Sequence, residues 1–311
     1  ALPASRLFGG GARSPDMRRT RERLLAVALV SPSILAIAIF VYGFIGWSAR
    51  VSLSAWQGLL PNYAWVGLTN YLQLFRDRRF QIDMRNTAIF TALFLAACLL
   101  VGLLLAILLD QRLKGEGFFR SVFLFPMSIS FIVTGVAWRW LMNPATGSRL
   151  SGLNLLFHEI GLDGLVSAWH TTPPPWGIAF IVLPAVWQMS GFTMALYLAG
   201  IRGISEELRE AARVDGANEA QIYRHVILPQ LQPVTLSAVI VLGHISLKIF
   251  DLIVAISGKD IRLDVPSIYM WTITFDANNF ARGAAIGIFM LVAVALLIVP
   301  YLSFSRREEG T

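Results

Sequence analysis

Residues 87–109 read Thr87-Ala-Ile-Phe-Thr-Ala-Leu-Phe-Leu-Ala-Ala-Cys98-Leu-Leu-Val-Gly102-Leu-Leu-Leu-Ala-Ile-Leu-Leu109, without one charged side chain before Asp110. A hydrocarbon core about 30 Å thick needs roughly 20 apolar residues per helical crossing, so this run reads as a membrane span. Working outward along the chain, five further apolar segments are long enough to cross: about 24–48, 118–142, 176–200, 233–256 and 284–304. The expected fold is therefore all-α, a polytopic membrane protein with six transmembrane helices over 24–304, an N-terminal segment 1–23 and a short tail 305–311.

Composition agrees with a bilayer as the solvent. Of 311 residues, 56% are hydrophobic and 14% charged, with a mean hydropathy of +0.62, against about 25% charged in soluble domains. The formal charge of +7 sits in basic residues beside apolar runs, which marks topology and not a nucleic-acid face. Assigned alternately to the two sides, fifteen Lys and Arg fall with the termini and nine on the opposite side, which places both termini in the cytoplasm. Arg76, Arg78 and Arg79 dissent, but they lie in a long loop, where the rule weakens. Arg18, Arg19, Arg21 and Arg23 ahead of an apolar run would also suit a secretory signal, yet the run extends to about Ser48, longer than the usual 7–15 residues. It is expected to be an uncleaved first span.

One cysteine, Cys98, permits no intrachain disulfide, and His158, His170, His225 and His244 lack metal-ligand spacing. No metal or other cofactor is expected in this chain. Pro32, Pro126 and Pro184 lie inside spans one, three and four; each removes a helix hydrogen bond, and either simple tolerance or a broken helix lining a pathway accounts for them. The loop around 143–175 ends in Pro173-Pro-Pro175 before Trp176 and reads as an outer cap with an aromatic anchor.

Between spans four and five lies Ser205-Glu-Glu-Leu-Arg-Glu-Ala-Ala-Arg-Val-Asp-Gly-Ala-Asn-Glu-Ala-Gln-Ile-Tyr-Arg-His-Val-Ile-Leu-Pro229, which reads as helix, turn, helix on the cytoplasmic side. Ser205 is placed to cap the first helix, with Glu206 and Glu207 in its first turn, and Gly216 suits the turn that ends it. Asn218 is placed to cap a second helix that stops before Pro229. Leu208, Ala211, Ala212 and Asp215 share one helical face, where the small alanines let another surface approach closely. Being pinned between two spans and not strongly basic, the segment does not suit DNA.

Glu210-Ala-Ala212, then Gly216, then Val226-Ile-Leu-Pro229 resembles the EAA signature of ABC-importer permeases, with Val226 at the usual Ile. The resemblance implies that Glu210, Ala211, Ala212, Asp215 and Gly216 belong to a coupling segment that sits in a cleft of a separate ATPase. Trp65-Val-Gly-Leu-Thr-Asn-Tyr71 with Asn86-Thr87 is similar to the first member of the paired carbohydrate permeases of the maltose and glycerol-phosphate type. Leu109-Asp-Gln-Arg112, Phe125-Pro-Met127, Val133-Thr-Gly-Val-Ala-Trp-Arg-Trp-Leu-Met-Asn-Pro144 and His244-Ile-Ser-Leu-Lys-Ile-Phe-Asp251 look more narrowly like the glucose/mannose permeases. Where many relatives carry a Gly-Gly-Pro loop, this chain has Ser257-Gly-Lys-Asp260.

The implied partners are a second homologous permease subunit, a cytoplasmic ATPase dimer that binds ATP and Mg, an extracytoplasmic sugar-binding protein, the sugar and membrane lipid. The implied location is a bacterial or archaeal cytoplasmic (inner) membrane. Local alignment with related permeases points to Gln188, Met189, Phe192 and Ser246 as the sugar path. From the residues themselves, span five offers His244, Ser246, Lys248 and Asp251, of which 244, 248 and 251 fall on one helical face. Charged groups at that depth face a cavity or a partner, so they either line the path or form a Lys248–Asp251 lock between helices. Trp138 and Trp140 read as an interfacial belt more readily than as sugar platforms.

The chain has no G-x-x-x-x-G-K-[ST] loop and no soluble region large enough for an ATPase, so it is expected to be non-catalytic. An ion-coupled secondary transporter is the alternative; it would normally carry several intramembrane carboxylates, and the spans here offer Asp251 beside Lys248. A membrane enzyme would need a nucleophile with its base, or a metal cluster, and no such set stands out.

Overall fold

The computed structural model describes residues 15–111, 114–145 and 147–308; of the segments expected at the ends, 1–14 and 309–311 lie outside the described residues. Among the described residues the chain is helical and has no β-strand, only an isolated bridge between Ser54 and Trp65. It divides into two compact units, one ending at Arg50 and one beginning at Val51. In the first, α1 (Pro15–Ile37) continues through a π-helical turn, Ala38–Gly43, into α2 (Phe44–Ser52), which runs on into the second unit.

The second unit continues with α3 (Thr69–Arg76), α4 (Arg78–Asp110), α5 (Glu116–Leu124), α6 (Phe131–Leu141), α7 (Gly152–Glu159) and α8 (Gly177–Gly203). After these come α9 (Glu206–Val214), α10 (Glu219–Ile222), α11 (Leu228–Gln230), α12 (Gln232–Leu247), α13 (Asp251–Ser257), α14 (Pro266–Trp271) and α15 (Phe280–Glu308). Among the described residues, four helical stretches are long and apolar enough to cross a membrane by themselves: Ala26–Ser52, α4, α8 and Phe280–Val299. They coincide with the spans read at 24–48, 87–109, 176–200 and 284–304.

The other two stretches expected to cross, 118–142 and 233–256, are not single rods. The stretch 118–142 bends by 98° between Glu116–Ser128 and Phe131–Leu141. Pro126 lies in the 3₁₀ turn Phe125–Ser128, Ile129 and Ser130 are extended, and the Ser130 side chain accepts from Val133 N–H to start α6. A proline suits the first turn of a new helical segment, where its missing N–H is not needed. Pro32 and Pro184, by contrast, sit inside continuous helices. The stretch 233–256 is interrupted at 248–250, between α12 and α13, where Phe250 takes φ −136° and ψ −62°.

An interrupted helix in an apolar surrounding leaves carbonyls that need partners. Both interruptions find one on a neighbouring helix. Gln188 Nε2 of α8 donates to the Ile129 carbonyl at 2.6 Å, and Ser267 Oγ of α14 donates to the Ile249 carbonyl at 2.6 Å.

The main core lies where α4 packs along α8, joined by α6, α12 and α13. Phe90, Phe94 and Cys98 of α4 meet Ile178, Ile181, Val182, Ala185 and Met189 of α8. Helices in lipid gain no hydrophobic drive from each other, so close approach through small residues carries the packing. Gly102 shows this: a Cβ there would stand 2.6 Å from Thr193 Cβ and 2.9 Å from the Met194 nitrogen. Towards the C-terminal end of α4 a second cluster joins Ala106 and Leu109 to Tyr197, Leu198, Ile201, Ile222, Ile227 and Leu231.

The 143–175 segment is held by one buried side chain. Asn154 donates to the carbonyls of Asn143 and Ser167 and accepts from Ser167 N–H and Trp169 Nε1. Trp169, buried against Phe157 and Phe180, is thus the aromatic anchor of this segment, whereas Trp176 is exposed.

Candidate functional site

The 205–229 segment is built from local capping chemistry. Ser205 Oγ accepts from Glu207 N–H at 3.3 Å, and Glu206 and Glu207 occupy the favourable end of the α9 dipole. Gly216 adopts φ +84°, a left-handed conformation that ends the helix, and Ala217 N–H reaches back to the Ala212 carbonyl. Asn218 and Gln221 then form a reciprocal capping box that starts α10. The second helical stretch does not stop before Pro229 as expected. It passes through a π-helical turn, Tyr223–Ile227, and Pro229 falls in the first turn of α11. The bend comes two residues later, 62° between Glu219–Gln230 and Gln232–Leu247.

No residue of α9 is buried. Glu210, Ala211, Asp215 and Gly216 are exposed, Ala212 is half-buried under Ala217, and Val214 is 87% exposed. The base of the segment is fixed differently. Arg209 Nη1 pairs with Asp110 Oδ2 at 3.0 Å, and Tyr223 Oη donates to the same oxygen at 2.7 Å. Arg209 Nη2 also donates to the Ile201 carbonyl of α8 at 3.3 Å. These groups line an open polar cleft of about 960 Å³ with Glu116, Arg202, Arg213 and Glu219. Arg209 and Tyr223 were not singled out from sequence, although both lie inside the stretch that was; no periodicity connects them to Asp110, about a hundred residues earlier.

The residues expected to line a path sit on helices that touch, α8 with α12 and α13, but in unequal surroundings. Gln188 is buried; its Nε2 supports the Ile129 carbonyl while its Oε1 has no partner. Met189 belongs to the core and Phe192 packs against it. Ser246 is buried, donating to the Gly243 carbonyl and accepting from Thr91 Oγ1 at 3.0 Å, so a ligand reaches it only if α12 parts from α4. His244 is half-buried with Nδ1 unpartnered.

Lys248 and Asp251 do not share the expected face. The helix break falls between them, both side chains are exposed, and no ion pair joins them. A lock between the two is therefore not made. Trp138 and Trp187 face each other at 6.1 Å beside a small apolar pocket of about 240 Å³ that also touches Thr134, whose Oγ1 is buried without a partner.

A second polar cluster escaped the sequence reading. At the start of α4, Arg79 pairs with Asp264, lies 4.6 Å from the Tyr269 ring centroid and reaches Thr272. Tyr269 Oη donates to Asp77, which also pairs with Arg282 at 3.2 Å. Burial pushes the Asp264 carboxyl above its ordinary value despite Arg79. Asp77 feels burial too, yet Tyr269, backbone N–H groups and Arg282 together hold it below the usual range. Asp83 is fully buried within this group, and neither oxygen has a hydrogen-bond partner. Among the described residues no His, Cys, Asp and Glu group is arranged to hold a metal.

Residues 99–308 match the family described as binding-protein-dependent transport system inner membrane component. The chain is 40% identical over 295 residues to the probable ABC transporter permease protein PH1215 of Pyrococcus horikoshii, covering 94% of this chain and 99% of that one. It is 34% identical over 278 residues to the xylose/arabinose import permease protein XacH of Haloferax volcanii, covering 88% and 86%. Its fold is that of a chain in the crystal structure of a bacterial ABC transporter involved in alginate import, with TM-score 0.77 and 23% identity over 94% of this chain and 98% of the other. Helical structure with long apolar helices among the described residues, and matches of this extent, lead to one assignment: the chain belongs to the inner-membrane components of binding-protein-dependent ABC transport systems.

Proposed function

We propose that this chain is the permease subunit of an ATP-driven sugar importer, forming half of the translocation path and docking a separate ATPase through residues 205–229. The carrying observation is the contrast within that segment. Most of Glu206–Gly216 is exposed and charged, with Ala211 and Gly216 as small exposed positions where another surface can come close, while its base is tied to α4 and α8. Such a surface suits insertion into a cleft of another protein. In this reading α5–α6 and α12–α13 each count as one crossing, giving six spans with both termini in the cytoplasm and a helix-turn-helix coupling segment between spans four and five. ATP and Mg belong to the ATPase dimer; this chain carries no catalytic residue.

A sugar of glucose or mannose type is the proposed cargo, on the resemblance of 109–112, 125–127, 133–144 and 244–251. The relative XacH, a xylose/arabinose import permease protein, supports a carbohydrate class. A second permease and an extracytoplasmic sugar-binding protein complete the assembly; the related alginate transporter was crystallised with a pentasaccharide-bound periplasmic protein. Gln188, Met189, Phe192, His244, Ser246, Lys248 and Asp251 are the proposed path residues. The unpartnered Gln188 Oε1 and His244 Nδ1 and the exposed charges at the helix break support it. Uptake of labelled glucose in the assembled system is expected to require ATP hydrolysis and to survive collapse of ion gradients. Gly216→Pro and Glu210→Arg should abolish it by releasing the ATPase. Uptake that follows an ion gradient, or full ATP-dependent uptake by both variants, would overturn the reading.

A further inference from the structure

Three stretches of chain converge on one carboxylate oxygen. Asp110 is the last residue of α4, and its Oδ2 takes both Arg209 Nη1 from α9 and Tyr223 Oη from the π-helical turn. Arg209 extends the contact to the α8 carbonyl of Ile201. The side chains of Asp110 and Arg209 are only 8% and 12% exposed. The other ion pairs lining this cleft, Arg202 with Glu116 and Arg213 with Glu206 and Glu219, are more open to solvent, where such pairs contribute little.

The location of Asp110 is costly in itself. A carboxylate at a helix C-terminus meets the negative end of the macrodipole, where a cation would be favoured. Beneath it, Leu109, Ile201, Ile222, Ile227 and Leu231 form a buried apolar floor. Apolar packing already joins α4, α8 and the 217–231 stretch in this cluster. What a buried pair with a planar, forked guanidinium adds is a fixed orientation.

We propose that Asp110, Arg209 and Tyr223 form a rigid joint that converts displacement of the 205–229 segment into movement of α4 and α8. The three are positioning residues. They hold the exposed surface of α9 at one angle to the two membrane helices, so that a push on that surface is transmitted and not absorbed by local bending. This rests on the reading that the segment docks an ATPase.

The test uses the whole assembled transporter in proteoliposomes. Tyr223→Phe removes one hydrogen bond and no volume, and Arg209→Lys keeps the charge but loses the fork. Both are expected to retain ATPase co-purification and thermal stability while sugar moved per ATP hydrolysed falls about tenfold, as for loss of a charged hydrogen bond. Combining them with Asp110→Asn should cost no more than the worst single change, because the three act as one unit. Gly216→Pro and Glu210→Arg, which alter the docked surface, should instead lose the ATPase itself. A wild-type ratio of sugar to ATP in Tyr223→Phe and Arg209→Lys overturns the joint while leaving docking intact. Should Arg209→Lys fail to assemble, Tyr223→Phe decides alone. Full ATPase association and transport by the two docking variants overturns the underlying reading instead.

Discussion

Replacing Arg79 with Met tests the polar cluster at the start of α4. The guanidinium pairs with Asp264, whose side chain is 1% exposed, and Arg79 itself is 22% exposed, so solvent screens the pair only partly. Removing one partner of a buried pair costs about 3–5 kcal/mol because the other charge is left uncompensated. The contact over the Tyr269 ring adds about 0.5–2 kcal/mol, part of it already counted in that figure. At about 2 °C per kcal/mol for a chain of this size, the midpoint of thermal unfolding of the assembled transporter should fall by roughly 6–10 °C at pH 7. The pH dependence gives a second reading. A carboxyl whose folded pKa is raised, as for Asp264, penalises the folded state above its unfolded pKa of about 3.9, and the penalty shrinks as pH falls back through the folded value. Without Arg79 that pKa rises further, so the deficit of Arg79→Met should be smaller at pH 5 than at pH 8. Asp264→Asn in the same chain should recover most of the loss. A midpoint within about 1 °C of wild type for Arg79→Met at pH 7 to 8, or a deficit at pH 5 as large as at pH 8, would refute this account of the cluster.

Gly102→Val places a Cβ 2.6 Å from Thr193 Cβ; overpacking of this kind costs about 1–3 kcal/mol, and the amount of folded subunit in the membrane should drop, whereas an unchanged yield and midpoint would mean α4 and α8 do not meet there. Asn154→Ala removes four hydrogen bonds and strands the Trp169 indole N–H; at about 0.5–1.5 kcal/mol each the 143–175 segment should become several-fold more sensitive to protease. Equal cleavage rates would contradict the anchoring role. The hydrogen bond and charge of Asp163 at 2.6 Å raise the His158 pKa, so this pair's contribution is full below the ordinary histidine value of about 6.5 and is lost as pH rises through the higher folded value. Hydrogen exchange over 158–166, corrected for intrinsic rate, should therefore accelerate between pH 5.5 and 8.5 in the wild type but not in His158→Gln; parallel behaviour of the two chains would count against it.

What the sequence determined is what depends on neighbours along the chain. Uninterrupted apolar length marks the helices of 24–48, 87–109, 176–200 and 284–304, because a bilayer imposes a length that composition must meet. Capping is equally local: Ser205, Gly216, Asn218 and Gln221 each act within three or four residues, and the structure places a cap or turn at each. The EAA-like spacing rests on the same short range.

Tertiary structure decided everything that needs a partner from elsewhere. Of Pro32, Pro126 and Pro184, each inside an expected span, only Pro126 sits at a helix break; the broken carbonyl there is met by Gln188, some sixty residues away. The face shared by His244, Lys248 and Asp251 presumed a continuous helix, and the interruption at 248–250, supported by Ser267 from α14, removed it. Asp110 with Arg209, and Arg79 with Asp264, each join residues about a hundred or more positions apart. Periodicity shows which side of a helix is apolar. It carries no record of which distant charge a buried carboxylate will meet, because desolvation and pairing are settled only when the helices pack.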